Sequence, residues 1–184
     1  MVQFSTRLRN GMGNSIESTI GPSPTLEYRT GPAPTNPAAA SSGTLLMSGT
    51  LPSDWMTDAS NGVKALVANF KADAAVASGY VGHYRLKASD GAYDIQGLVS
   101  EPWAGSKAYV VGQQVSLNGN VYRATAAGTS ASTSGPTGTG GSITDGGVTW
   151  AYVGPTDIVL DNTNIAAGQS GITLSSYQLT MPNA

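Results

Sequence analysis

The apolar residues of this chain occur in short runs separated by turns rich in glycine, proline and aspartate. Residues 25–29 and 80–87 alternate in polarity, and an Asp90-Gly91 dipeptide follows the second run. A period of two is typical of β-strands, and Asp-Gly is typical of a tight hairpin turn. No run approaches the ~20 apolar residues of a membrane-spanning helix. The pattern therefore predicts a mainly β protein of short strands and many turns.

The balance of basic and acidic residues excludes some classes of binding partner. The chain carries 9 basic and 11 acidic residues, a formal net charge of -2. A protein that neutralises nucleic-acid phosphates needs an excess of Lys and Arg, so we expect neither nucleic acid nor a membrane as a partner.

The first ten residues lack the apolar stretch of a signal peptide, so export by a cleaved signal is not expected.

Signals for catalysis are weak. The chain has no cysteine and one histidine, His83, which excludes thiolate chemistry and any site that needs two imidazoles. The glycine-rich stretch 137–141 lacks the lysine of a phosphate-binding loop. Alternation places His83 on a strand face with Val81 and Arg85, so we interpret it as a surface or groove residue. We expect no catalytic residue, no cofactor and no metal site, and so no enzyme.

One segment near the N-terminus has helical periodicity. Ser5 is a suitable N-cap and Gly21 a suitable C-terminal cap. Gly11 and Gly13 each cost about 1 kcal/mol relative to alanine, so the helix needs a partner surface. We predict that its apolar stripe is buried, either on the chain's own sheet or on a neighbouring subunit. The stripe is the candidate assembly interface and consists of Leu8, Met12, Ile16 and Ile20.

Residues 101–155 differ in amino-acid composition from the rest of the chain. This block carries four charged residues, and its middle, residues 128–147, is mostly Gly, Ser and Thr. The alternating pattern breaks at Val99 and resumes at Ile158, so we expect these two residues to lie in neighbouring strands. The sequence predicts an outer domain of residues 1–100 and 156–184, with residues 101–155 as a small inserted β domain.

The inserted block contains an ordered set of aromatic residues and glycines. The order is W-x5-Y-x2-G-x2-V-x3-G-x2-Y from Trp103 to Tyr122, and Trp150 closes the unit. This order resembles the small chitin- and cellulose-binding module of bacterial glycosidases. The resemblance implies a short twisted β-sheet whose exposed aromatic rings stack on sugars, with cell-surface polysaccharide as the partner. The candidate carbohydrate-binding residues are then Trp150, Tyr152 and Trp103.

The block also departs from that family. An exposed Trp pair usually follows the second Tyr of the family pattern, whereas residues 123–128 hold no aromatic residue. A core of this size needs the same aromatic residues, so a purely structural use of them is the favoured interpretation. Sugar binding is the alternative.

The outer segments resemble a family of small structural proteins of tailed bacteriophages. The resemblance covers residues 23–46, residues 157–184, and residues 79–100, which read GYVGHYRLKASDGAYDIQGLVS. It implies a non-enzymatic virion protein made in the host cytoplasm. The favoured role is capsid decoration, or cementing, with the major capsid protein and copies of the chain itself as partners. We expect a β-sandwich of the jelly-roll type with an N-terminal helix and the small inserted domain.

Two alternatives to capsid decoration remain at this point. Within the same class, the chain is a head–tail neck or tail component of the virion. From a different class, it is a carbohydrate-binding module for attachment to the host surface. A virion-bound hydrolase is disfavoured because the sequence shows no group of carboxylates or histidines with the spacing of a catalytic site.

Overall fold

The computed structural model describes residues 2–183, in which β-strands predominate and one helix stands near the N-terminus. The mainly β fold and the N-terminal helix were predicted, and both are confirmed. The elements in chain order are α1 (Thr6–Ile20), β1 (Thr25–Thr30), β2 (Leu45–Thr50), β3 (Val63–Ala65), β4 (Phe70–Lys71), β5 (Gly79–Lys87), β6 (Tyr93–Pro102), β7 (Ala108–Tyr109), β8 (Gln114–Leu117), β9 (Asn120–Ala126), β10 (Gly128–Thr129), β11 (Ile143–Asp145), β12 (Val148–Pro155), β13 (Ile158–Val159), β14 (Asn164–Ile165), β15 (Thr173–Leu174) and β16 (Gln178–Thr180).

A large mixed sheet organises the molecule. Its strand order is β11-β12-β9-β8-β6-β5-β1-β2, with β13 and β14 paired to β6 and β5. Ile158 pairs with Val99 in the parallel β13–β6 ladder, so the predicted adjacency of these two residues is confirmed. Three short ladders, β7–β10, β4–β15 and β3–β16, lie off the main sheet.

Two clusters of buried apolar side chains lie along this sheet. The larger one is built from the outer strands and their connections and includes Tyr28, Trp55 and Leu86. The smaller one is built entirely from the insertion, around Tyr109 and Trp150. Because β6 pairs with β8, one sheet joins the two clusters. The division of the chain into two domains stays a prediction.

Strand β5 is buried on both faces, and this overturns the prediction for His83. The imidazole is 0% exposed, and its Nδ1 lies 3.0 Å from the carbonyl oxygen of Gly31. The connection between β1 and β2 covers this face, since the Arg85 guanidinium donates to the carbonyl oxygens of Pro37 and Ala39. Alternation alone does not distinguish a side chain that faces water from one that faces a covering loop.

Candidate functional site

The ends of α1 are capped as the sequence predicts. The Ser5 Oγ accepts a hydrogen bond from the amide of Leu8 at 3.3 Å. At the other end Gly21 has φ 80°, and its N–H donates to the carbonyl oxygen of Glu17. Glycine adopts this positive φ without the steric cost that a Cβ would bring. The helix bounds are therefore set by local chemistry.

Polar side chains form much of the face of α1 that contacts the body, beside the apolar Ile16 and Ile20 near the C-terminal end. Asn10 Oδ1 accepts a hydrogen bond from the amide of Gly62, and Asn14 Oδ1 accepts one from the amide of Ala59, both at 2.8 Å. These amides belong to the connection that leads into β3. Side chains of the helix thus satisfy backbone groups that have no strand partner.

Glu17 extends this docking face. Its Oε1 accepts hydrogen bonds from the amides of Trp55 and Met56, and its Oε2 lies 2.9 Å from the Lys64 Nζ. The Lys64 side chain is almost fully buried. Burial opposes ionisation, but the hydrogen bonds from Lys64 and the two amides hold the pKa of Glu17 below its ordinary value. The ion pair anchors the helix.

The apolar stripe of α1 is less buried than predicted. Leu8 is 49% exposed, Met12 and Ile16 are half-buried, and Ile20 is 2% exposed. A repeat of four residues advances about 40° beyond a full helical turn at each step, so the stripe winds around the helix. Ile20 therefore reaches the larger cluster while Leu8 points into solvent. Leu8 is therefore not buried on the chain's own sheet, and its burial on a neighbouring subunit stays a prediction.

In the insertion, Asp145 ties both tryptophans together. Its Oδ2 accepts hydrogen bonds from the Nε1 of Trp103 at 2.8 Å and of Trp150 at 3.1 Å. Its Oδ1 accepts one from the amide of Ala131 at 2.8 Å. The carboxylate is 3% exposed, so these three donors replace its hydration. The arrangement holds the aromatic cluster closed over the insertion's own core.

Trp150 offers no open ring face for stacking on a sugar. It is 0% exposed, and its ring packs edge-on against Tyr109 with centroids 5.0 Å apart. A ring stacks on a sugar only if one of its faces is open to solvent. Tyr109 and Tyr122 are buried as well, at 1% exposure each.

Tyr152 and Trp103 are half-buried and stay candidates. A Cβ placed on Gly135 would lie 2.8 Å from carbon atoms of the Trp103 ring, so the glycine-rich loop presses against this indole. Tyr152 packs against Tyr122 with ring centroids 6.0 Å apart and an angle of 65° between the ring planes.

A second buried carboxylate joins the insertion to the outer strands. The Glu101 Oε1 lies 2.6 Å from the Lys107 Nζ, and its Oε2 accepts hydrogen bonds from the amide and the hydroxyl of Thr163. Gln114 adds a further link, since its Nε2 donates to the carbonyl oxygen of Gly82 at 2.6 Å. The same Nε2 also donates to the carbonyl oxygen of Val99 at 2.7 Å, so Gln114 links β8 to both β5 and β6.

Among residues 2–183, no group of three or more His, Cys, Asp or Glu side chains lies close enough to hold a metal ion. In the same part of the chain, no helix has the length and apolar character needed to cross a bilayer.

No protein-family model, curated protein or solved structure matches this chain.

The residues that dock α1 were not predicted from the sequence. Asn10, Asn14 and Glu17 are separated by four and three residues, which places them on one helix face. That spacing was available as a signal, but it does not say whether the polar face or the apolar face meets the body. The role of Asp145 was also missed, because a turn aspartate ordinarily bonds to its neighbours in sequence.

Proposed function

We propose that this chain is a non-enzymatic structural component of a tailed-phage virion, a decoration protein on the outside of the capsid. The observation that carries the proposal is the outward face of α1, where Leu8 is 49% exposed on a helix anchored through polar groups. Covering this leucine with a partner surface would remove apolar area from water, which is favourable. The partners we propose are the major capsid protein and copies of this chain.

The buried charges support a structural role. Glu17, Glu101 and Asp145 are each engaged by three donors, most of them from distant parts of the chain. A catalytic carboxylate needs access to a substrate, whereas Glu101 and Asp145 are buried and Glu17 is held by its three donors. Their arrangement favours a rigid body without disulfides, which suits a shell-reinforcing protein.

We also propose the finer architecture, a β-sandwich of the jelly-roll type. The larger cluster joins residues of the main sheet, such as Tyr28 and Leu86, to residues outside it, such as Phe70 and Leu174 of the β4–β15 ladder. A sheet face covered by a second β layer is the arrangement on which a sandwich is built.

The decoration role is tested on virions of the phage that encodes the chain, prepared with and without its gene. We expect intact particles to carry a copy number on the scale of the major capsid protein, and particles without the chain to release DNA at a lower temperature. A copy number matching one ring at the neck, or a location in the tail, would favour the head–tail alternative. Absence of the chain from purified particles would exclude both roles.

Host attachment through carbohydrate is the second candidate, and the half-buried rings of Tyr152 and Trp103 favour it. Its test is titration of the full chain with chitin and cellulose fragments, followed by tryptophan fluorescence. Saturable binding that Tyr152→Ala weakens about fivefold or more supports it, since one stacked ring contributes about 1 kcal/mol. Tyr80→Ala, a half-buried tyrosine outside the insertion, is the matched control. A flat titration with the parent chain rejects this role.

A further inference from the structure

The connection between β1 and β2, residues 31–43, covers one face of β5 and β6, and we refer to it as the strap. It contains no charged residue, and proline, threonine and asparagine are its largest side chains. No residue of the strap is fully buried. Because the strap removes little apolar area from water, its local opening costs less free energy than unfolding of the strands beneath it.

Long side chains of the sheet hold the strap by its carbonyl oxygens. The Arg85 guanidinium donates to those of Pro37 and Ala39. The Gln96 Nε2 donates to that of Pro34 at 2.7 Å. The strand ladders on either side of β1 pair no residue of the strap. The strap can therefore leave the sheet without breaking a backbone hydrogen bond between strands.

A glycine with a positive φ stands at each end of the strap. Gly31 has φ 71° and Gly43 has φ 65°. A Cβ on Gly43 would overlap the carbonyl oxygen of Thr30, and one on Gly82 of β5 would overlap the backbone of Gly31. The two ends of the strap thus pass close to the sheet at positions that can absorb the dihedral changes of a hinge.

His83 lies beneath the N-terminal end of the strap. Its imidazole is 0% exposed, and its Nδ1 lies 3.0 Å from the carbonyl oxygen of Gly31, which places the proton of the neutral ring on Nδ1. Among residues 2–183, the buried Nε2 has no hydrogen-bond partner. Protonation would make this nitrogen an N–H donor that is held away from water without an acceptor, which is unfavourable.

The charged groups around His83 also disfavour a proton on its ring. Arg29 of β1 lies directly opposite His83 in the strand register, and Arg85 follows two residues along β5. The carboxylate in this environment belongs to Glu27, which already contacts the Arg29 Nε at 2.8 Å and accepts a hydrogen bond from Tyr93 of β6. The strap itself contributes no titratable side chain. Burial and the two arginines lower the pKa of His83, against its hydrogen bond to the strap and the charge of Glu27.

We propose that protonation of His83 opens the strap while the sheet beneath it stays folded. Opening lets water hydrate the new N–H group and the two guanidinium groups, so the added charge costs less than it does under the closed strap. The closed form is favoured above the ordinary pKa of histidine, about 6.5, and the open form gains population as the pH falls below that value. This pH-sensitive device goes beyond the structural role proposed above and does not depend on it.

Limited elastase digestion of the full chain tests strap opening, because elastase cleaves after small residues and a loop must leave the body to enter its active site. Residues 38–40 of the strap are three alanines, and the exposed alanines 166 and 167 provide a control site in the same digest. Between about pH 7.5 and about pH 6, the ratio of strap cleavage to control cleavage should rise about threefold, since the proton binds mainly to the open form. In His83→Asn, which keeps a donor but does not titrate, the ratio should stay constant.

A constant ratio in the parent chain, or an equal rise in His83→Asn, overturns the proposal. Strap cleavage that increases with urea as steeply as global unfolding does would overturn it as well, because the sheet would then open with the strap. NMR of the single histidine gives a readout that needs no variant. His83 should titrate closer to the ordinary pKa of histidine in the elastase-cut chain than in the intact chain, and identical titrations would reject control by the strap.

Discussion

At the scale of single residues, buried polar side chains join parts of the chain that are far apart in sequence. Asp145 binds both insertion tryptophans, and Glu101 binds Thr163 across the junction with the outer strands. A buried donor that loses its acceptor costs about 1–3 kcal/mol. Substitutions at these residues should therefore have larger effects than substitutions at exposed turn residues.

Asp145→Ala should lower the free energy of unfolding by about 2–4 kcal/mol, because two indole N–H groups lose their acceptor in or near a buried core. Urea unfolding followed by tryptophan fluorescence measures the loss. Asp161→Ala makes the same chemical change at an exposed turn and should cost less than about 0.5 kcal/mol. Equal losses in the two variants would contradict the role assigned to Asp145.

His83 should make stability depend on pH. Burial lowers the pKa of His83 below its ordinary 6.5, and Arg29 and Arg85 act in the same direction, against the hydrogen bond to Gly31 and the charge of Glu27. The unfolded chain therefore binds the proton first. Stability should be complete above about pH 6.5 and should decline as the pH falls towards the lower folded-state pKa.

Urea unfolding of the parent chain and of His83→Asn at about pH 7 and about pH 5 checks this dependence. Asparagine retains a donor for the carbonyl oxygen of Gly31 but does not titrate. We expect the parent to lose more stability on acidification than the variant does. Identical losses would show that His83 takes up its proton equally well in the folded state.

At the scale of elements, α1 shows how a helix can dock through polar side chains as well as apolar ones. Its interior glycines have opposite environments, since Gly13 contacts Ala59 and Gly11 contacts nothing within the chain. Helix propensity treats the two glycines alike. Packing gives them different roles.

Gly13→Ala and Gly11→Ala form a matched pair of substitutions. In the monomer, Gly11→Ala should stabilise the fold by up to about 1 kcal/mol, because alanine is the better helix former. Gly13→Ala should destabilise it by about 1–3 kcal/mol, because the new methyl group overlaps the Ala59 side chain. Thermal unfolding at low protein concentration measures both, and shifts of the same sign would contradict this docking geometry.

At the scale of the whole molecule, one sheet connects two separately packed clusters. Val99 and Ile158 pair directly, so the outer strands are contiguous on either side of the insertion. The ends of a chain deleted from residue 102 to residue 155 would lie about 14 Å apart, given a rise of about 3.3 Å per residue. A linker of about six residues spans that distance.

Replacing residues 102–155 with a six-residue Gly/Ser linker should leave a folded, soluble outer part. We expect lower stability than in the parent, since the hydrogen bond from Gln114 to Gly82 and the ion pair between Lys107 and Glu101 are lost. Circular dichroism and a cooperative urea transition measure the outcome. Recovery of the deletion variant only as aggregate would show that the two clusters depend on each other.

The sequence by itself determined the local features of this protein. Period-two runs, the Ser5 and Gly21 caps, and the break at Val99 predicted the strand-rich fold, the bounds of α1 and the pairing with Ile158. These features depend on backbone chemistry and on polarity within a few residues, and the sequence records both directly.

Tertiary structure alone decided which faces are covered. His83, Trp150 and Leu8 each lie in a segment whose secondary structure follows its sequence pattern. His83 and Trp150 are nevertheless buried, and Leu8 is exposed. The burial of His83 depends on a loop that packs back over β5. The buried indole of Trp150 depends on Asp145, whose carboxylate accepts the hydrogen bond from its Nε1. The exposure of Leu8 follows from a helix that docks by asparagine and glutamate. Burial depends on contacts between residues distant in sequence, and local periodicity carries no information about them.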